Sequence, residues 1–167
     1  MMKRLCAFFT LFILIFSFSA CSDKSETDSV KPADLEVTFL LNKSKSIAGR
    51  VCFDTNLPTG TKLDVEIFIG SKFYSSETVS VQSDIYSNYF ITEPQAYQDG
   101  KIIEDGKYIF RANLSSIDSQ PEEVKSVIGS KGEKLSGTFV YEKDGVKTVK
   151  ISKPLLKQND KFTIPEN

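Results

Sequence analysis

The chain has 167 residues, 40% of them apolar and 26% charged, with 9 Gly and 6 Pro. That length and mix suit about one ordinary globular domain and exclude a collagen-like chain, a disulfide-dense mini-protein and a wholly disordered one. Lys and Arg number 21 against 22 Asp and Glu, and His and Trp are both missing, so the chain lacks the commonest general base and metal ligand.

Met1-Met2-Lys3-Arg4 opens with two positive charges, residues 5–18 are almost all apolar, and Ser19-Ala20 are small. This is the three-part layout of a secretory signal peptide, and the apolar run is shorter than the ~20 residues a spanning helix needs. Phe18-Ser19-Ala20-Cys21 resembles the lipobox of bacterial lipoproteins, with Phe18 where Leu is usual. The resemblance implies cleavage between Ala20 and Cys21 and attachment of a diacylglyceryl group, palmitate in character, to the Cys21 thiol. Two long acyl chains suffice for stable membrane anchoring. Ser22 is not Asp, which in a Gram-negative host implies the outer membrane.

Residues 22–34 hold almost no apolar surface and read as a flexible tether between lipid and domain. With residues 1–20 removed, 19 Lys and Arg remain against 22 Asp and Glu. A mildly acidic chain has no basic stripe for phosphate backbones, which argues against nucleic acid as partner. Of the three cysteines, Cys6 would leave with the signal peptide and, as the resemblance implies, Cys21 would take the lipid. Cys52, between Val51 and Phe53, is expected to be a buried, inert thiol.

From Leu35 the pattern is β. Apolar or alternating runs lie at Leu35–Leu41 and Ile47–Phe53. Leu63, Val65, Ile67 and Ile69 alternate with Lys62, Asp64 and Glu66, which predicts a half-buried strand. Phe73–Val81 and Ile85–Ile91 follow. Tyr108, Phe110, Ala112 and Leu114 share one face of another strand. Pro121, Glu122 and Glu123, then Val124, Val127 and Ile128, then Gly129 predict one short helix near 121–128. Thr138–Lys143 and Val146–Ile151 flank Asp144-Gly145, a two-residue hairpin signal that places Val140 opposite Val149 and Glu142 opposite Lys147 as a cross-strand charge pair. Residues 154–167 read as a loose C-terminal tail.

About seven or eight short strands with turn signals at Pro58-Thr59-Gly60, Asp99-Gly100, Asp105-Gly106 and Asp144-Gly145 predict a single all-β sandwich over residues 35–153. Asp105-Gly106-Lys107-Tyr108 looks like a tyrosine corner, and Thr55-Asn56-Leu57-Pro58-Thr59-Gly60-Thr61 resembles a turn of immunoglobulin-like domains in exported bacterial proteins. Gln120-Pro121, Gly129 and the Gly132 to Gly137 stretch look like features of the same group. The resemblance implies an immunoglobulin-like sandwich and carries no activity with it.

Chemistry is sparse. Without His, a Ser-His-Asp triad or Cys-His dyad is impossible within the chain, and clustered zinc ligands do not occur. Asp99, Glu104 and Asp105 offer carboxylates in one loop, but no EF-hand spacing, so a polar hairpin loop is the simpler reading. Tyr86, Tyr89 and Phe90 form an aromatic cluster of the kind that binds glycans or proteins, or that splits between core and edge. No catalytic residue, cofactor or metal is expected. The sequence therefore points to a membrane-anchored envelope lipoprotein acting as a non-catalytic binding module for an envelope protein or surface glycan. Two rivals stay open: a pilotin-like assembly factor, and a hydrolase using carboxylates or a Ser-Lys pair.

Overall fold

The computed structural model describes residues 34–46, 49–93 and 104–165. The expected signal peptide, the lipobox-like segment with Ala20 and Cys21, most of the expected tether and Asp99-Gly100 lie outside them. Among the described residues the chain runs β1 (Leu35–Glu36), β2 (Phe39–Leu41), β3 (Val51–Thr55), β4 (Lys62–Ile69), β5 (Lys72–Ser80), β6 (Gln82–Ser83) and β7 (Asn88–Thr92). Then come β8 (Gly106–Leu114), a 3-10 turn (Ile117–Ser119), α1 (Glu122–Ile128), β9 (Leu135–Ser136), β10 (Val140–Lys143), β11 (Val146–Gln158) and β12 (Lys161–Thr163).

Two antiparallel sheets form the layers of an all-β sandwich. One has the order β2-β3-β7-β6 and the other β10-β11-β8-β4-β5, with β12 on the outer edge of β11. Setting β2-β3-β7-β6 against β5-β4-β8-β11 is the strand order of an immunoglobulin-like sandwich. β1 pairs parallel with β9, through Leu35 and Leu135. Phe53 of β3 and Phe90 of β7 stack at 5.7 Å, and Phe53 meets Phe110 of β8 from the opposite layer at 4.5 Å. This three-ring stack joins the two layers where alternation sends apolar side chains inward, at about 0.5–1.5 kcal/mol per ring pair beyond area burial. Leu63, Val65 and Ile67 of β4 and Tyr108, Phe110, Ala112 and Leu114 of β8 are all buried, as their period-two pattern predicts. Ile69, at the end of β4, is exposed.

The hairpin register is the predicted one: Val140 opposes Val149 and Glu142 opposes Lys147. Asp144 and Gly145 take φ of 54° and 74°, the positive pair a type I′ turn demands. The expected Glu142–Lys147 charge pair does not form among the described residues. The Lys147 ammonium donates instead to the carbonyls of Leu135 (2.9 Å) and Glu133 (3.2 Å), fixed acceptors that an exposed carboxylate does not outcompete.

Other expectations shift. The run from Leu35 to Leu41 is two strands, because Asn56 bridges the gap: its side chain accepts from Thr38 N–H at 2.9 Å and donates to Glu36 C=O at 2.5 Å. The Ile85–Ile91 run begins its strand only at Asn88; Ile85 and Tyr86 sit in a turn and are each 87% exposed. Asp84 holds that turn by accepting both Tyr86 and Ser87 N–H. α1 starts at Glu122 with Pro121 as its cap, burying Val124 and Ile128 but leaving Val127 exposed. The C-terminal residues are not a loose tail. β11 continues to Gln158, turns through Asn159-Asp160 and returns as β12, burying Leu155 and Phe162. Alternation breaks at Pro154 and Lys157, which hid this strand in the sequence. Among the described residues no helix is long and apolar enough to cross a membrane.

Candidate functional site

The crossover from β8 to β11 is the long connection of the sandwich, and it builds a groove at one end. A single buried amide sets its position. Gln120 Oε1 accepts Lys62 N–H at 2.8 Å, and its Nε2 donates to Lys62 C=O at 3.0 Å and Ser115 C=O at 3.1 Å. The side chain thus pairs with β4 where β8 has ended, and it seats the 3-10 turn and α1 against the sandwich. Behind α1, Lys147 N–H donates to Lys131 C=O at 2.8 Å, and Glu133 accepts Lys131 N–H at 2.8 Å. Backbone N–H groups around Glu133 hold its carboxyl below the ordinary range, as hydrogen bonding to the charged form does.

Between these supports lies a cavity of about 420 Å³, within the range of small-ligand sites. Its apolar wall is Leu114, Ile117 and Val146, and its polar rim carries Ser115, Ser116, Ser130 and Thr148 with Lys131 and Asp118. Ser115 is committed: its hydroxyl donates to Asp64 at 2.8 Å, a carboxylate that also accepts Thr78 at 2.7 Å. Ser116, Ser130 and Thr148 make no side-chain hydrogen bond among the described residues. Among the described residues no Ser hydroxyl in the groove bonds the Lys131 ammonium. Hydroxyls around a small apolar wall suit a polyhydroxylated ring, whose C–H face packs while its O–H groups exchange hydrogen bonds.

The sequence-nominated residues lie elsewhere. Phe90 is in the core, Tyr86 is at the exposed turn, and Tyr89 lies on the outer sheet face, where the Lys45 ammonium sits 3.8 Å above its ring and 2.5 Å from Asp84. The cluster therefore divides between core and surface. Lys45, together with two backbone N–H groups, draws the Asp84 carboxyl down to about 2. Cys52 is fully buried on the same sheet. Its N–H donates to the Ser46 hydroxyl at 2.9 Å, which in turn donates to its C=O at 3.2 Å. Burial, and then the nearby Asp54, push its thiol up to about 11, the opposite of what a reactive cysteine needs.

Of the residues weighed above as calcium ligands, Glu104 takes a structural bond through its backbone and Asp105 through its carboxylate. Tyr108 Oη donates to Glu104 C=O at 2.5 Å, which is the expected tyrosine corner. Asp105 accepts from the buried Lys157 ammonium at 2.9 Å and from Asn159 N–H at 3.1 Å. Lys157, its side chain only 3% exposed, also reaches Asp160 at 3.3 Å. Among the described residues no cluster of His, Cys, Asp or Glu is arranged to hold a metal ion. Comparison with known proteins finds no matching family model, no matching curated protein and no matching solved structure.

The groove residues were not nominated by the sequence. Ser115, Ser116, Ser130, Lys131 and Thr148 are common surface types with no shared spacing, and they meet only because Gln120 folds the crossover back. The one available signal was the length of polar chain between two strong strands, since long ordered connections tend to carry function.

Proposed function

We propose that the protein is a lipid-anchored bacterial envelope lipoprotein whose sandwich is a non-catalytic binding module, and that the groove between the 3-10 turn and the start of β11 takes a surface glycan. The lipobox resemblance at Phe18-Ser19-Ala20-Cys21 supports the anchor. The observation that carries the binding reading is the groove lining: hydroxyls of Ser116, Ser130 and Thr148, uncommitted among the described residues, around Leu114, Ile117 and Val146.

Two measurements test it. Intact-mass spectrometry of the protein from its host membrane should give residues 21–167 plus an acyl-glyceryl mass on Cys21; an unmodified mass in the medium refutes the anchor. A panel of immobilised bacterial surface polysaccharides should show saturable binding that Thr148→Val and Ser116→Ala each weaken about tenfold, the worth of one well-made hydrogen bond in a site. A hydrolytic activity abolished by one of these substitutions would sink the binding-module reading.

A further inference from the structure

At the other end of the sandwich lies a second cavity, of about 450 Å³, lined by Lys43, Ser44, Lys161, Phe162 and Thr163. β11 runs ten residues from Thr148 in the groove to Gln158 beside β12, about 33 Å of strand, so the two sites are separate.

The walls are held from both sides. In the turn after β2, Asn42 C=O accepts Ser46 N–H at 3.0 Å, and Asn42 Oδ1 accepts Lys45 N–H at 3.1 Å and the Ser44 hydroxyl at 2.7 Å. The Asn42 amide is itself fixed by Asp54 at 3.1 Å. Across the cavity, Phe162 is buried edge-on to Tyr108 at 6.2 Å, and its N–H donates to Ser46 C=O at 3.3 Å. That bond ties β12 to the turn and leaves Lys43 and Lys161 facing one space.

Charge gives the cavity its chemistry. The acids beside these lysines in sequence or space are already engaged: Asp84 holds Lys45, and Asp105 and Asp160 hold Lys157. Neither Lys43 nor Lys161 has a carboxylate within ion-pair distance among the described residues. Two lysines therefore line one cavity with no ion-paired carboxylate among the described residues, beside Ser44 and Thr163. Lys ammonium groups bind phosphate as compact point charges. The volume leaves room for an organic body beyond the phosphate itself.

We propose that this cavity binds a phosphate ester, with Lys43 and Lys161 neutralising the phosphate. The site is independent of the glycan groove and stands or falls separately from it. The ester is carried by a soluble phosphorylated metabolite or by a phospholipid headgroup, and two probes distinguish them: glycerol 3-phosphate, and dihexanoyl phosphatidylglycerol below its critical micelle concentration. Calorimetric titration of the intact protein should show saturable binding of one probe. Lys43→Gln and Lys161→Gln should each weaken it about tenfold, as expected for loss of a charge-assisted hydrogen bond. Lys143→Gln, at the distant hairpin, should leave it unchanged, and all three variants should melt with the parent because their side chains are exposed. Preference for the monoester assigns a soluble ligand, and preference for the lipid assigns a headgroup. No saturable binding of either probe, or equal weakening by Lys143→Gln and Lys161→Gln, overturns the proposal.

Discussion

Gln120→Leu should cost this fold more than a polar-to-apolar exchange at a buried position normally does. Gln120 is 3% exposed and makes three hydrogen bonds, two to Lys62 and one to Ser115. Leu fills similar space but leaves Lys62 N–H and Ser115 C=O without partners, whereas Lys62 C=O keeps Ser115 N–H at 3.1 Å. Two orphaned backbone groups cost about 1–3 kcal/mol each. The extra apolar burial returns about 1 kcal/mol, so the net loss is about 1–5 kcal/mol. For a domain of this size that is a fall in Tm of about 3–15 °C. Circular dichroism melts and urea titrations, with an unchanged m-value, would measure it. Gln120→Glu sharpens the test. Its carboxylate can accept from Lys62 N–H but faces the carbonyls of Lys62 and Ser115, so the folded state favours the protonated acid and raises its pKa. The variant's stability relative to the parent is then greatest below about pH 4 and declines as pH rises through the folded pKa. A Gln120→Leu Tm within about 2 °C of the parent, or a Gln120→Glu difference that does not change with pH, would refute this account of the crossover.

Four further outcomes follow from other parts of the structure. The Asp84 carboxyl titrates at about 2, held down first by Lys45 and then by the N–H groups of Tyr86 and Ser87. Its contribution is therefore complete above its ordinary value of about 4 and is lost as pH falls toward 2; Asp84→Asn should flatten the Tm-versus-pH curve in that window, and a parallel curve would disprove it. Lys157→Met leaves two solvated carboxylates and should cost no more than about 1 kcal/mol, whereas Asp105→Asn with Asp160→Asn strands a buried ammonium and should cost about 3–5 kcal/mol in urea unfolding. Gly132→Ala places a Cβ 2.4 Å from the Lys147 carbonyl oxygen at φ +69°, whereas Gly145→Ala, at φ +74°, meets nothing within 4 Å. The first should lower stability by about 3 kcal/mol or more and the second by about 1–2 kcal/mol, measured by the same melts. Cys52, buried and with its thiol pushed up to about 11, should react with a thiol reagent only after denaturant is added; labelling at the rate of a free thiol in the native state would contradict its burial.

Much of the fold was legible because it rests on local rules. Period-two alternation placed β4 and β8 and named their buried faces. Asp144-Gly145 set the register of β10 and β11 residue by residue, since two adjacent positive-φ positions admit one tight turn. Tyr108 was recognisable as a corner because the bond it makes reaches only four residues back. What failed was non-local. Pro154 and Lys157 interrupt the apolar alternation, so residues 154–167 read as a loose tail; Lys157 is buried because Asp105, 52 residues earlier, meets it. The Glu142–Lys147 pair was correct in register and absent as a contact among the described residues, because the Glu133 and Leu135 carbonyls arrive from outside the hairpin.

The candidate sites divide the same way. The proposed lipobox at residues 18–21 is a linear signal, a resemblance carried by four consecutive residues. The groove and the lysine cavity are not linear. Ser116 and Thr148, or Lys43 and Lys161, are ordinary surface residues until the sandwich brings them together. The sequence by itself determined the β class, the main strand faces, the hairpin register and the tyrosine corner, because each depends on side chains within a few residues of one another. Only the tertiary structure decided which polar residues share a cavity and which acids are spent on Lys45 and Lys157. Those outcomes depend on strand order and on the path of the crossover, which pair residues far apart in the chain according to the packing of two whole sheets.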